Sequence, residues 1–509
     1  MALLDSAPTL ERPVTVELPS LFHPAVEPDS AGGPATLRLL IDGQWRAAAD
    51  GETFDVRTPI DGTVIARAAS AGTEDVEAAI AAAVATRREF RQVTAAERME
   101  ICSRAAGLMA EHLGSFVDAI VVSLGKTPSQ AKSEANATRE RLELVREEVR
   151  KIFGEYIPGD WIPDTKGKSG VVLHEPVGTV AAIGPFNYPL FLAASKIIPA
   201  IAAGNTVVAK APSDDPIPLL MFGRMLEEAG LPPGALNVIT GSGRKIGDLL
   251  ASHDGVSMIS FTGSTAVGRR IAELAGPKPL HLELGGNAAA IVLADADLEL
   301  AVEKSVMGAF KNAGQRCDAI GRVMVADSVY DTFVERALAE AETWTMGDPR
   351  ADGVKVGPLV NPGAAETVGA LVDDAVGRGA RLLAGAGRVE AYHEPTVLAD
   401  VSSDAEIVWE ETFGPVLTIM RVRDLDEALE LANRSRFGLD SCVFTSNLDS
   451  AWGAARALEC GMVHINDAPA HGVGHFPFGG RKPDSGVGRE GLGYSIDECT
   501  VLKTVVLPT

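Results

Sequence analysis

Four short apolar runs, 179–184, 206–210, 236–240 and 258–261, are separated by stretches long enough to hold crossover helices. Strands joined in this way lie parallel, because a parallel pair needs a dozen or more residues to return whereas an antiparallel pair closes through a tight turn. The alternation commits the middle of the chain to an α/β fold built on a parallel sheet. Before it the pattern is helical. Thr73 can cap a helix containing Val76, Ile80 and Ala83, and Thr94-Ala95-Ala96-Glu97 is a capping box opening a second, with helices dominating to about residue 155. A second α/β stretch runs from about residue 285 to 482. Segments 170–174 and 499–507 read as strands outside both sheets, with apolar side chains that an isolated chain would expose, and so predict a partner subunit.

Composition narrows the class. At 509 residues the chain exceeds one core and suggests roughly three folding units. Acidic residues number 69 against 46 basic, a net charge of −23, and no basic cluster is long enough to track a phosphate backbone, which argues against nucleic acid. The same acidity leaves capture of an anionic ligand to a few local arginines. The five cysteines form an odd set without CxxC spacing, which favours neither a disulfide framework nor a zinc site and fits a reducing, cytoplasmic compartment. Cys102 shares a helical face with Ala105, Ala106 and Met109 and reads as a small buried hydrophobe. No apolar stretch approaches the length of a membrane span, since Lys196 and two prolines interrupt the segment 189–204. Residues 1–35, proline-rich with several acids and one arginine, lack the features of a signal or transit peptide and read as a flexible arm.

Two glycine-containing loops sit where such sheets bind ligands, beyond the carboxyl ends of strands and at helix N-termini. Thr240-Gly241-Ser242-Gly243 follows one run and Phe261-Thr262-Gly263-Ser264-Thr265 the next, with Gly268 in the following helix. Neither matches the full GxGxxG fingerprint, but together they could carry a dinucleotide.

Three further segments carry chemistry. Cys317 lies in Ala313-Gly314-Gln315-Arg316-Cys317-Asp318-Ala319, Glu283 in His281-Leu282-Glu283-Leu284-Gly285-Gly286, and Asn187 in Pro185-Phe186-Asn187-Tyr188-Pro189. A thiolate attacks an aldehyde readily, and the oxyanion it creates needs donors in place, which Asn187 and the backbone N–H of Cys317 could supply. Hydride loss to a nicotinamide leaves a thioester, whose hydrolysis needs a base such as Glu283, with a pKa that apolar neighbours would raise. Each residue alone has an ordinary reading, as a buried thiol, a surface charge or a turn amide. Their joint order favours covalent catalysis. Asp318 beside the thiol would raise its pKa unless turned away, moving activity toward alkaline pH. His464, His471 and His475 lack acidic or cysteine partners at ligand spacing and predict no metal.

With these motifs in order from about residue 36 to the C-terminus, the chain resembles the aldehyde dehydrogenase superfamily. The resemblance implies Cys317 as nucleophile, Glu283 as base and Asn187 as oxyanion donor. It further implies that Lys210 contacts the adenosine ribose, Ser264 the pyrophosphate and Glu411 the nicotinamide ribose, with Phe413 packing alongside. Gly243, Phe261 and Gly263 belong to the same cofactor loops. Members restricted to NAD commonly carry a glutamate three residues after the lysine; here that position is Ser213, which predicts acceptance of and preference for NADP, with NAD possible. Asp214 and Asp215 could restore part of the repulsion.

Among branches, the motifs look most like non-phosphorylating glyceraldehyde-3-phosphate dehydrogenases and their lactaldehyde dehydrogenase relatives, and Asp248 fits their cofactor pocket. Of the tyrosine and arginines with which those enzymes hold phosphate, Tyr188 and Arg316 are present, while two arginine positions hold Ala137 and His471. Histidine does not replace a bidentate arginine, so the expected substrate is a small polar aldehyde, hydroxylated or anionic, with glyceraldehyde 3-phosphate as the alternative. Arg139 and Arg141 lie near enough in sequence to compensate. Acyl transfer to coenzyme A is disfavoured by the presence of Glu283, and a non-catalytic nucleotide-binding or structural role by the intact triad.

The resemblance also implies an order of domains. A dinucleotide-binding domain spans 36–157 and 178–284, a catalytic domain 285–482, and a β oligomerisation extension 158–177 and 483–509, giving a homodimer or homotetramer.

Overall fold

A computed structural model describes residues 18–29, 32–471 and 475–508. Its centre is an eight-stranded sheet. Five parallel strands run in the spatial order Leu280–Glu283, Met258–Thr262, Thr179–Ile183, Thr206–Lys210, Leu236–Ile239. Antiparallel edges close it, Gly486–Val487 on one side and Leu39–Ile41 with Gln44–Arg46 on the other. The four runs that the sequence marks out are all strands of this sheet, and their residues are buried throughout because helices cover both faces. One of these helices, Phe191–Ala203, is buried along its whole length.

The helical segment forms as its caps dictate. Helices span Thr73–Phe90, Ala95–Glu111, Leu113–Leu124 and Pro128–Glu148. At the second, Thr94 Oγ1 accepts from Glu97 N at 3.2 Å and Glu97 accepts from Thr94 N at 2.7 Å, a reciprocal capping box. At the first, Thr73 is already inside the helix, and the cap falls to Gly72, whose N–H donates to Asp75 Oδ2 at 3.0 Å.

A seven-stranded sheet follows, with Ala288–Val292 between Ile320–Ala326 and Asp440–Phe444 and all but the outer strand Arg381–Ala384 parallel. Strands Glu155–Pro158, Lys168–Pro176 and Thr500–Pro508 make a separate antiparallel sheet. Its side chains Tyr156, Leu502 and Val506 remain 65, 66 and 62 % exposed. Among the described residues no single helix is long and apolar enough to cross a membrane.

Two expected boundaries shift. The arm expected over 1–35 is not uniform: Ser20–Ala25 forms a 3-10 helix, Val26 pairs with Leu37, and Phe22 is fully buried against Phe116 and His112. Burying a phenylalanine stabilises by roughly 1.5–3 kcal/mol, enough to hold this segment down. Residues 1–17, 30 and 31 lie outside the described residues. At the other end, residues 483–498 do not extend away with the outer sheet. Gly486–Val487 pairs with Leu280–Glu283, and helix Leu492–Glu498 packs its buried Leu492 and Ile496 against the first domain, so only Thr500–Pro508 joins the extension.

Candidate active site

The first sheet reverses direction beside Thr179–Ile183: the next two strands lie to one side of it and the last two to the other. Loops leaving the carboxyl ends of Thr179–Ile183 and Met258–Thr262 therefore part company and open a crevice. A cavity of about 800 Å³ occupies it. Its wall includes all nine positions expected to bind a cofactor, Lys210, Ser213, Gly243, Asp248, Phe261, Gly263, Ser264, Glu411 and Phe413, together with Asn187 and Cys317.

This wall fits a dinucleotide. Helices Gly243–Ser252 and Thr265–Ala275 begin on it, and the first N–H groups of a helix have no partner within it. Thr262 Oγ1 is buried there without a hydrogen-bond partner. Lys210 Nζ donates to Ala211 O at 2.9 Å, and burial lowers the ammonium to about 8. Ser213 Oγ donates to Gly241 O at 3.0 Å and so ties the two loops together. Asp214, on the wall, is shifted by burial toward its neutral form. Asp215 is absent from the wall and lies fully buried beside Ser123 and Lys126, its carboxyl raised by burial to about 8. Of the two acids that threatened to repel a second phosphate, Asp215 is thus off the wall and shifted toward neutrality, while Asp214 stays on it. Glu411 accepts from Gly286 N at 2.9 Å, and burial raises it to about 7.

Cys317 lies between helix Leu298–Phe310 and strand Ile320–Ala326. The intervening turn Lys311–Gly314 holds Asn312 and Ala313 at φ 57° and 53°, left-handed backbone that costs non-glycine residues on the order of 1–3 kcal/mol each. Amide side chains hold it. Gln315 O accepts from Asn187 Nδ2 at 2.9 Å and Asn312 Nδ2 at 3.2 Å, and Gln315 Oε1 accepts from Val360 N at 2.8 Å. Asn187 keeps its second amide hydrogen, and among the described residues the Cys317 N–H donates to no group of the chain. Gly286 lies against this loop so closely that a Cβ there would meet Cys317 O at 2.0 Å, so the glycine is required. Burial, then the Asp318 carboxylate, raises the Cys317 thiol well above its usual range.

Cys317 also lines a second cavity, of about 560 Å³, with Tyr188, Arg316 and His471, the three positions expected to meet substrate, and with Ala137 and Asp318. Arg316 is not free to grip an anion: its Nε lies 2.8 Å from Asp318 Oδ1 and its Nη2 donates to Pro469 O at 3.0 Å. Burial opposes the Asp318 charge and Arg316 overcomes it, holding that carboxyl below its ordinary value. Asp318 Oδ2 also accepts from His471 N at 2.7 Å. Arg139 and Arg141, near enough in sequence to compensate, do not reach this cavity. Arg139 pairs with Glu143 one helical turn on, Arg141 is buried over the Phe191 ring, and neither lines the cavity.

Glu283 lines neither cavity. It is buried, with both oxygens lacking hydrogen bonds and His281 Nε2 at 3.6 Å from Oε1. Burial and then the Glu490 charge raise its carboxyl well above the usual value, while Lys196 opposes them. Lys196 Nζ lies 3.6 Å from Glu490 Oε1, and His471 Nε2 lies 2.9 Å from Glu490 Oε2.

The sequence pattern of the aldehyde dehydrogenase family matches residues 45–505. The chain belongs to the aldehyde dehydrogenase family. Among similar proteins, this aldehyde dehydrogenase is 39% identical to the NADP-dependent glyceraldehyde-3-phosphate dehydrogenase of Streptococcus equinus, over 92% of this chain and 97% of that one. It is 37% identical to the mitochondrial succinate-semialdehyde dehydrogenase of Arabidopsis thaliana, over 92% and 88% respectively. The crystal structure of NADP-dependent glyceraldehyde-3-phosphate dehydrogenase from Bacillus halodurans C-125, complexed with NADP, superimposes with a TM-score of 0.91 at 38% identity, covering 92% of this chain and 99% of that one.

Two basic residues on the cavity walls of this aldehyde dehydrogenase that lack an ion pair among the described residues escaped the sequence reading. Arg244 lines the larger cavity and has no side-chain partner among the described residues, unlike Arg270, held by Asp248 at 2.9 Å. Its signal was its place at the start of the helix after Ser242-Gly243. Lys311 lines the smaller cavity, likewise without an ion pair or hydrogen bond at Nζ, and burial followed by Arg316 lowers its ammonium. Its signal was its position in the turn that leads to Cys317.

Proposed function

We propose that the enzyme oxidises a small polar aldehyde, bearing a single negative charge or a hydroxyl, to its carboxylic acid, with NADP preferred and NAD accepted. One observation carries the reading: Cys317 borders both the cavity with the cofactor positions and the cavity with the substrate positions. The thiolate bonds to the aldehyde carbon, and the resulting oxyanion accepts from the free Asn187 amide hydrogen and the Cys317 N–H. A bound nicotinamide supplies the hydride acceptor. The thioester left on sulfur is hydrolysed by water that Glu283 deprotonates after its side chain rotates toward Cys317.

Both named relatives act on short aldehydes with an anionic end, one phosphorylated and one a carboxylate. In this chain Arg316 is neutralised by Asp318 and Lys304 pairs with Asp467 at 3.1 Å, which leaves Lys311 as the uncompensated cation on the wall among the described residues. One ammonium suits a single charge better than a phosphate dianion. Lys311→Met raises KM for the anionic substrate by about 10–100-fold, the worth of one charge-assisted hydrogen bond, with kcat and neutral aldehydes little changed. Steady-state kinetics check this.

The exposed apolar face of the outer sheet supports pairing of copies into a dimer or tetramer. Preference for NADP is supported by Ser213 and the free Arg244 guanidinium on the cavity wall. Ser213→Glu lowers kcat/KM with NADP relative to NAD by about tenfold or more through charge repulsion. The reading as a whole is tested by kcat/KM for lactaldehyde, glyceraldehyde, its 3-phosphate, succinic semialdehyde and an aliphatic series, each with NAD and NADP. A charged or hydroxylated aldehyde leading with NADP supports it. An aliphatic aldehyde leading with NAD overturns it, and dominance of the 3-phosphate returns the alternative substrate.

A further inference from the structure

A base that takes a proton from water must lose it before the next turnover, and Glu283 is buried in the wall of strand Leu280–Glu283. Three routes leave it. Arg489 donates to Gly480 O at 2.8 Å and carries no acceptor, so it cannot receive a proton. Lys196 and Glu490, each 1% exposed, lead to His471, on the wall of the cavity the substrate fills, and Lys196 otherwise borders only the small space beside His281 and Glu498 among the described cavities. The third route leads outward. His281, two residues before Glu283 and therefore on the same face of the strand, presents Nε2 3.6 Å from Glu283 Oε1, while its Nδ1 contacts Glu498 Oε2. The Glu498 side chain is 29% exposed.

The histidine and the second glutamate are built into place. Arg489 N donates to Glu498 Oε1 at 2.8 Å. The turn at Gly488, with φ +95°, crosses the pair so tightly that a Cβ would lie 2.8 Å from His281 Nδ1 and 3.1 Å from both Glu498 oxygens. Lys196, Ser195 and Ser495 complete the surroundings, around a space of about 10 Å³. That is room for one water.

We infer that His281 and Glu498 form the proton exit of Glu283, an inference that rests on the roles proposed above for Cys317 and Glu283. As the water oxygen bonds to the thioester carbon, its proton passes to Glu283, the carbon–sulfur bond breaks and the electron pair returns to sulfur as thiolate. Glu283 then rotates to the position seen and passes the proton to His281 Nε2. The proton on Nδ1 moves to Glu498 and on to solvent, and the ring regains its first tautomer by exchange with water. His281 acts through Glu283 and touches no reacting atom, which makes it a positioning and relay residue.

p-Nitrophenyl acetate tests this without the physiological aldehyde or the cofactor, since an activated ester acylates a reactive thiolate directly. The unsubstituted enzyme gives a burst of nitrophenolate, one per active Cys317, followed by steady turnover. His281→Gln keeps the burst and loses about tenfold or more in steady-state kcat in dilute buffer; His281→Gly, which leaves a ring-sized vacancy, shows the same loss, and added imidazole relieves it in that variant. Glu498→Gln, at the partly exposed end, shifts kcat the same way by a smaller factor and carries the test if His281→Gln fails to fold. A kcat within about twofold of the unsubstituted enzyme in the folded variants overturns the exit, as does a loss in His281→Gly that imidazole does not relieve. Absence of a burst in the unsubstituted enzyme, with no acetyl group on Cys317, overturns the covalent reading itself and the exit with it.

Discussion

Replacing Cys317 by serine lowers dehydrogenase turnover by about 10³-fold or more while NADP affinity stays within about threefold. A serine hydroxyl in this loop has no adjacent base, since Glu283 faces His281 and lines neither cavity, so nothing compensates for its weak nucleophilicity. The substitution is nearly isosteric, and the cofactor positions on the larger cavity wall are supplied by other residues. Equilibrium binding of NADP beside stopped-flow turnover separates the two effects. The same thiol sets the pH dependence. Burial and Asp318 raise its pKa, so at neutral pH the reactive thiolate is the minor form, and kcat/KM climbs as pH rises toward that pKa. A thiol lowered by its surroundings would give the opposite, a plateau already reached below neutrality.

Glu283→Gln separates the two halves of the reaction. The amide matches the carboxylate in shape but cannot take a proton from water, so acylation and reduction of the cofactor proceed once and then stop. The expected trace is a burst of about one reduced cofactor per active site followed by a steady rate lower by roughly 10²–10⁴-fold, the usual contribution of a positioned general base. Stopped-flow absorbance of the reduced nicotinamide reads both phases. Loss of the burst along with the steady rate would instead give Glu283 a role before hydrolysis.

The fold was legible where local chemistry decides it. The run 206–210 is a strand because its residues are apolar and flanked by crossover lengths, and Thr94 caps its helix because Glu97 lies three residues on. That the positions expected to meet a cofactor share one wall was legible for a related reason: strand ends, glycine turns and helix starts are local, and the sheet gathers them there. Directions of long side chains were not. Arg141 follows Ala137 by four residues on one helix, yet its guanidinium lies over the Phe191 ring, within reach of the Glu490 charge from far along the chain. Arg316 adjoins the nucleophile as expected, but Asp318 claims its charge. Lys311 was hidden because the turn beside it continues in left-handed backbone at Ala313, where the residue type does not announce it, although Asn312 favours that conformation. Phe22 packs into a core supplied by a helix some ninety positions later, which proline content alone could not reveal.

The most direct test of the account is peptide mapping by mass spectrometry of Glu283→Gln, quenched after mixing with NADP and the best aldehyde of the panel. The account predicts an acyl group on Cys317 at close to one per subunit and on no other cysteine. Carboxylic acid accumulating at the unsubstituted rate, with Cys317 unmodified throughout, would contradict it.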